Sequence, residues 1–385
     1  MAALQKSLNS GLGLKTVNSL EEMAFLPLLH ILAALCLAIN AHPLENEPTR
    51  TVSVDATAPP NCFPALGFKM PSTTPLEPDQ LVVRPKHRIW VRRVQLRGQS
   101  LSKLRSDFLT IRNTFNSRYI RMYGACDRAA SDIPLWLFAL LSQYLCSNDI
   151  VDAAWGAGIG VHALIWFGFD GTNQWMGRRD SLFGILHSNP KAKFVTRVLQ
   201  FGSEPLFDGV LDPTVLAQQV TAAKKSLSGL QIPVTISEMA YGYQEHADDG
   251  SQDVMDAIQL IDAHMLPFFS TAASTAKASW PIVLNDLNWF IQHGQGKKIY
   301  LSQNGWPSVT SDGVQPNSPS AVANVQNEHD YYSLLDAHCE DFKAVPGGGV
   351  GWFWHIYSDE MEPGYGLFST SGKLKFSPFN PKTSC

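Results

Sequence analysis

Two apolar runs end in polar side chains that could face one pocket. Phe194–Glu204 (FVTRVLQFGSE) ends on a lone carboxylate, Glu204. Lys298–Ser308 (KIYLSQNGWPS) ends on Gln303 and Asn304, just before the turn Gly305-Trp306-Pro307. A buried parallel strand that stops at a turn delivers its last side chains to the mouth of a cleft. A carboxylic acid there can protonate a leaving oxygen, which is half of the chemistry of glycoside cleavage. The other half is a second carboxylate, roughly 5–5.5 Å away as nucleophile or roughly 6.5–9.5 Å away as the base for a water. Burial and neighbouring carboxylates would keep the acid protonated, and Glu204 suits that role. The opposing strand end carries an amide.

Other chemistries fit less well. Ser203 has no Gly-x-Ser-x-Gly setting, and His162 and His264 lie within strands, as core or pocket histidines do. The cysteines are far apart with no Cys-x-x-Cys, which disfavours zinc, and no Gly-x-Gly-x-x-Gly follows a strand. No metal and no cofactor is expected.

The elements that would position these residues alternate. Strand-like runs lie at Asn61–Met70 (ending near Lys69), Tyr119–Tyr123, Gly160–Phe169 (followed by Asp170-Gly171) and the Glu204 run. Four more follow: Val234–Ser237 ending at Glu238, Ile261–Met265, the Gln303 run, and Gly347–Tyr357 ending Ser358-Asp359-Glu360. Helical spacing separates them, through Leu104, Phe108, Ile111 and Phe115; through Ile150–Ala157; and through Leu182, Ile185 and Leu186. It continues over Pro213–Leu227 (Leu216, Val220, Ala223, Leu227) and Val254–Leu260, then through Leu284, Leu287 and Phe290, and through Tyr331, Leu334 and Leu335. Eight β-then-α units over about 320 residues is the arithmetic of an α/β fold of the (β/α)8 TIM-barrel type. A doubly wound open sheet is the alternative. In a barrel all strand C-termini open on one face, and Lys69, Asp127, Asp170, Glu204, Glu238, Gln303 and Glu360 all sit at such ends.

Composition bounds the rest. The chain has 385 residues, is 45% hydrophobic, and can bury a sizeable core. A net charge of −4 argues against a nucleic-acid surface. Ten Trp and 20 Phe suit a ligand that stacks on flat rings, although most aromatics fill cores. Residues 1–41 read as an N-terminal extension and signal peptide: Met23–Ala41 is apolar and uncharged, with Met23 as the start and cleavage near Ala41. A signal anchor is the alternative, and no Asn-x-Ser/Thr sequon is present. Residues 42–60 form a Pro-, Glu- and Thr-rich leader, and 61–385 the barrel domain.

Two stretches of that domain have foreign composition. Residues 76–97 overlap a run that has no acidic residue between Asp79 and Asp107 and is crowded with Arg84, Lys86, Arg88, Arg92, Arg93 and Arg97. Residues 131–147 are almost wholly apolar, and as a surface loop would make a hydrophobic patch. Both read as insertions or as translated introns. Past Cys36 there are five cysteines; without Cys146, the set Cys62, Cys126, Cys339 and Cys385 is even, with three pairings open in an oxidising compartment.

Ser302-Gln303-Asn304-Gly305-Trp306-Pro307-Ser308 resembles the seventh-strand signature of β-1,3-glucanases of glycoside hydrolase family 17. Gly202-Ser203-Glu204-Pro205-Leu206 resembles that family's fourth-strand acid/base motif, and Arg121-Met122-Tyr123-Gly124 its second strand. Trp354 through Gly366-Leu367-Phe368, with Gly372-Lys373-Leu374-Lys375, is similar to its last strand and tail. The likeness runs from about Asn61 to Lys375 and is greatest to fungal wall-associated members. It implies a secreted (β/α)8 barrel acting on β-1,3-glucan of a fungal-type cell wall, with Glu204 as acid/base of a retaining mechanism; a monomer is expected. Lys69, Tyr123, Asp170, Gln303, Asn304, Trp306 and Trp354 are then the expected sugar contacts. The family carries a glutamate nucleophile where this chain has Gln303. Either another carboxylate stands in, with Glu238 the first choice, Glu360 the second and Asp170 less favoured, or the barrel binds glucan without cleaving it. A third option is a substrate whose own group is the nucleophile, positioned by Gln303.

Overall fold

Parallel strands buried on both faces read as mostly apolar runs, and every residue of the second to sixth strands is buried, the polar Arg121, His162, Gln200 and His264 included. The computed structural model describes residues 93–94, 101–115, 117–122, 137–168 and 171–376; for 93–94 and 137–146 it describes the backbone alone. The chain runs β1 (Arg93–Val94), α1 (Leu101–Thr114), β2 (Tyr119–Met122), α2 (Leu137–Ala157), β3 (Gly160–Ile165), α3 (Gln174–Ser188), α4 (Ala192–Val195) and β4 (Thr196–Ser203). It continues α5 (Pro213–Leu227), β5 (Val234–Glu238), α6 (Ala240–Glu245), α7 (Ser251–Ala257), β6 (Ile261–Met265), α8 (Trp280–His293) and β7 (Ile299–Asn304). Last come α9 (Val325–Ala337), α10 (Cys339–Ala344), β8 (Val350–Trp352), β9 (Ile356–Ser358) and β10 (Gly366–Phe368).

Strands β1 to β8 pair in parallel in chain order, as successive β-then-α units require. The sheet is rolled. The ring of His162 on β3 lies 5.3 Å from Tyr300 on β7 and 4.8 Å from Phe353, just past β8. Arg121 on β2 hydrogen-bonds Gln303 on β7. Side chains of strands that are not neighbours in the sheet therefore meet in its hollow, a curled half-barrel.

Several elements follow the sequence pattern closely. Leu104, Phe108 and Ile111 face inward on α1 and are fully buried. Helix α5 begins where Asp212 accepts from the amides of Thr214 and Val215, with Pro213 in the first turn, and buries Leu216, Val220, Ala223 and Leu227.

Others differ. Arg93–Val94, within the segment read as an insertion, pairs with Arg121–Met122 and takes the first place in the sheet. The strand expected at 61–70 lies outside the described residues. From Leu137 onward the apolar stretch is no loop: it is the first half of α2, continuous with the helix expected at 150–157. No Gly or Pro interrupts it before Gly156, and Leu and Ala favour the helix throughout. On α8 the buried face is Val283, Leu287 and Phe290, while Leu284 is exposed. The final expected strand divides. The Phe353 amide still bonds the Leu301 carbonyl of β7; beyond it the backbone leaves the sheet, and β9 pairs with β10 in a separate two-stranded sheet.

The inward face of α1 sets a stability contrast. Phe108→Ala empties a fully buried site and costs about 3–5 kcal/mol, whereas Leu109→Ala, on the solvent side, stays within about 0.5 kcal/mol. Urea midpoints of the two variants check the difference.

Candidate active site

The end of β4 is bent into place. Its pairing with β5 shifts register between Gln200 and Ser203, and Gly202 follows at a φ of 98°. A Cβ at Gly202 would stand 2.7 Å from the Phe167 ring, so only glycine fits. Glu204, two residues on, has a φ of 55°, a left-handed conformation that costs a side-chain-bearing residue about 1–2 kcal/mol. Its backbone is fixed by a 2.7 Å bond from its own N–H to the Ser237 carbonyl. Strain of this kind persists where the surroundings over-determine it, which is common at functional sites.

Among the described residues, His264 and Gln303 hold the Glu204 carboxylate. His264 Nδ1, on β6, lies 2.6 Å from Oε1, and Gln303 Nε2 donates to the same oxygen at 3.3 Å. With its side chain 21% exposed, Glu204 still faces the opening. The far end of the Gln303 amide is also engaged, because its Oε1 accepts from Arg121 at 3.1 Å. The Arg121 guanidinium donates as well to Gln200 (2.8 Å), Ser203 (3.1 Å) and Ser237 (3.2 Å). Ser237 Oγ lies 2.6 Å from His264 Nε2 and 2.7 Å from Ser302 Oγ. The donor order that satisfies this chain runs Arg121 to Ser237, Ser237 to His264 Nε2, and His264 Nδ1–H to Glu204.

The charges follow from burial. Desolvation lowers the His264 pKa to about 4 against the pull of Glu204, so the imidazole is neutral at neutral pH. Burial also lowers Arg121, to about 10, with Asp262 and Glu204 opposing; the guanidinium stays charged. Asp208 is raised to about 6, first by burial and then by Glu204. It closes the turn after Glu204 through a 2.8 Å bond from its N–H to the Glu204 carbonyl, and with Phe167, Asn173 and Trp175 it lines a cleft of about 320 Å³.

The residues expected at the site fall into five groups. Glu204 and Gln303 come together. Glu238, the expected stand-in nucleophile, is buried and clamped. Its Oε2 accepts from the amides of Leu206 (2.7 Å) and Phe207 (3.3 Å), and its Oε1 from that of Met239 (2.8 Å). Burial drives its pKa up to about 8 against those donors. Glu360 is exposed in the turn after β9. Three expected sugar contacts are core instead. Asn304 is fully buried, accepting from Tyr331 Oη at 2.6 Å and donating to the Phe353 carbonyl. Trp306 is fully buried beside Phe268, its indole N–H on the Val322 carbonyl. Trp354 is sandwiched against Tyr332 and Phe376. Lys69, Tyr123 and Asp170 lie outside the described residues.

The sequence pattern marks His264 as a core or pocket histidine and does not mark Ser237, Asp208 or the centring role of Arg121. Register was the available signal for His264, since it pairs directly with Gln303 across β6 and β7. Among the described residues no group of three His, Cys, Asp or Glu side chains is placed to hold a metal ion.

No family model matches the chain, and no curated protein matches it. Solved structures do. A family 17 β-1,3-glucanosyltransferase from Rhizomucor miehei is 16% identical, with a TM-score of 0.58 over 77% of this chain and 98% of that one. An active-site mutant of the Rhizomucor miehei β-1,3-glucanosyltransferase, solved with laminaritriose, aligns equally well. A family 5 mannosidase from Rhizomucor miehei is 12% identical, with a TM-score of 0.50 over 78% and 88%. At these identities the likeness is one of fold alone: a curled parallel sheet like that of these TIM-barrel neighbours.

Two outcomes follow from the geometry. Glu238→Ala leaves three amides without their acceptor and costs about 3 kcal/mol or more, with a smaller loss for Glu238→Gln; urea denaturation reads both. His264 has a folded pKa below its unfolded one, so the unfolded chain gains its proton first as pH falls. Stability on this account is full above about 6.5 and declines towards about pH 4, by at most about 3 kcal/mol. In His264→Asn that decline is flatter when unfolding midpoints at pH 7 and pH 4.5 are compared.

Proposed function

We propose that the protein binds a β-1,3-glucan-type polysaccharide at the mouth around Glu204 and Gln303, and that it does not carry out retaining hydrolysis. One observation carries this reading: the Gln303 amide is fixed at both ends, by Arg121 and by Glu204. A retaining glycosidase holds two carboxyl groups roughly 5–5.5 Å apart, with the reacting carbon between them. Here a 3.3 Å hydrogen bond draws the two side chains together, and an amide can neither attack as a carboxylate does nor leave as one. Glu238, held by three amides, and Glu360, exposed beyond β9, do not supply the missing group.

The glucan assignment is supported by the family 17 resemblance around both motifs and by the fold shared with a transferase solved with laminaritriose. On this reading the sheet closes as a full (β/α)8 barrel, and the signal-like run Met23–Ala41 exports a monomeric chain to a fungal-type cell wall. A second reading is favoured by Asp208, whose raised pKa and place beside Glu204 suit a base for single displacement by water.

Laminarin separates them. Wild type is expected to bind laminarin and release no reducing sugar above background, and Gln303→Glu to gain release by about 100-fold or more through a restored carboxylate. Release by wild type that Glu204→Gln abolishes overturns the binder; if Asp208→Asn abolishes it too and the released sugar has the inverted anomeric configuration, single displacement is the mechanism.

A further inference from the structure

Two large aromatic side chains stand out of the surface beside the site. Phe207 is 45% exposed and Tyr241 54% exposed. Among the described residues they are the aromatics in the set of exposed large hydrophobics, and they touch each other: their ring centroids are 6.1 Å apart at 64°. Phe207 lies in the turn directly after Glu204, and Tyr241 follows the end of β5, the neighbouring strand. Both therefore open on the face that carries Glu204.

The pair is pre-organised. The Glu238 carboxylate accepts from the Phe207 amide on one loop and from the Met239 amide, just before Tyr241, on the other. His246 Nε2 contacts the Leu206 carbonyl at 3.1 Å and ties the same turn from a third point. A fixed loop bears little ordering cost on binding. An edge-to-face pair leaves the outer ring faces uncovered. A β-linked glucopyranose, with equatorial substituents, presents flat C–H faces that suit such rings and a rim of hydroxyls. Glu204 and Asp208 lie along the same turn as acceptors for that rim.

We propose that Phe207 and Tyr241 form the stacking platform on which a β-linked glucan chain lies as it enters the mouth at Glu204. The proposal rests on the carbohydrate-binding reading of that mouth, and it assigns to these rings the role that the buried Trp306 and Trp354 cannot fill.

Calorimetric titration of the full chain with laminarihexaose tests it, with cellohexaose and mannohexaose in parallel. Phe207→Ala and Tyr241→Ala are each expected to weaken laminarihexaose binding by at least about tenfold with an unchanged melting temperature, and Phe207→Trp to retain it. Binding that is equal in wild type and both alanine variants overturns the platform while leaving the mouth's function intact. If wild type ignores laminarihexaose but binds cellohexaose in a Phe207-dependent manner, the platform stands and the β-1,3 assignment fails; binding of mannohexaose alone overturns a glucan platform. No binding of any hexaose overturns the platform.

Discussion

A charged guanidinium in the hollow of a curled sheet dictates what surrounds it. Arg121 is buried, and taking its charge out of water costs several kcal/mol unless acceptors are ready. Gln200 and Ser203 from β4, Ser237 from β5 and Gln303 from β7 supply them. One side chain on β2 thereby fixes the inward residues of three other strands. The orientation of the Gln303 amide follows: its oxygen must face Arg121, so its NH₂ must face Glu204. His264 and Ser237 are drawn into the same chain and leave Glu204 as its outermost member, the one in contact with the opening.

This hierarchy explains why the fold was more legible than the site. Apolar runs and helical spacing mark β2 to β7 and α5 directly, because parallel strands buried on both faces and amphipathic helices write their burial into composition. Glu204 was legible for the same reason, as a lone carboxylate ending a buried strand. Composition misled where length was the better guide: residues 137–147 looked like a hydrophobic loop and are one half of a 21-residue helix. The split of the last strand at Phe353 was invisible, since apolar aromatic sequence suits a strand and a buried loop equally well.

The side-chain roles were hidden by a different ambiguity. Asn304, Trp306 and Trp354 lie in the expected motifs, but a strand-end residue can turn to the cleft or to the helices outside, and these three turn to Tyr331, Phe268 and Tyr332. Glu238 ends its strand as Glu204 does, yet it is consumed by backbone amides of the loop that follows Glu204. That loop carries Phe207, which no motif marked. One strand-end carboxylate faces the opening; its neighbour builds the rim that the first one needs.

The orientation of the amide at position 303 is thus a structural consequence of Arg121, and its being an amide is the reason the mouth is read as a binding site. An activated laminaribioside carrying fluorine at C2 traps the glycosyl-enzyme of a retaining glycosidase, and intact-protein mass spectrometry with peptide mapping locates the adduct. The account predicts no adduct on the wild-type chain and an adduct at position 303 in Gln303→Glu. A wild-type adduct on Glu238, Asp208 or any other carboxylate would contradict it.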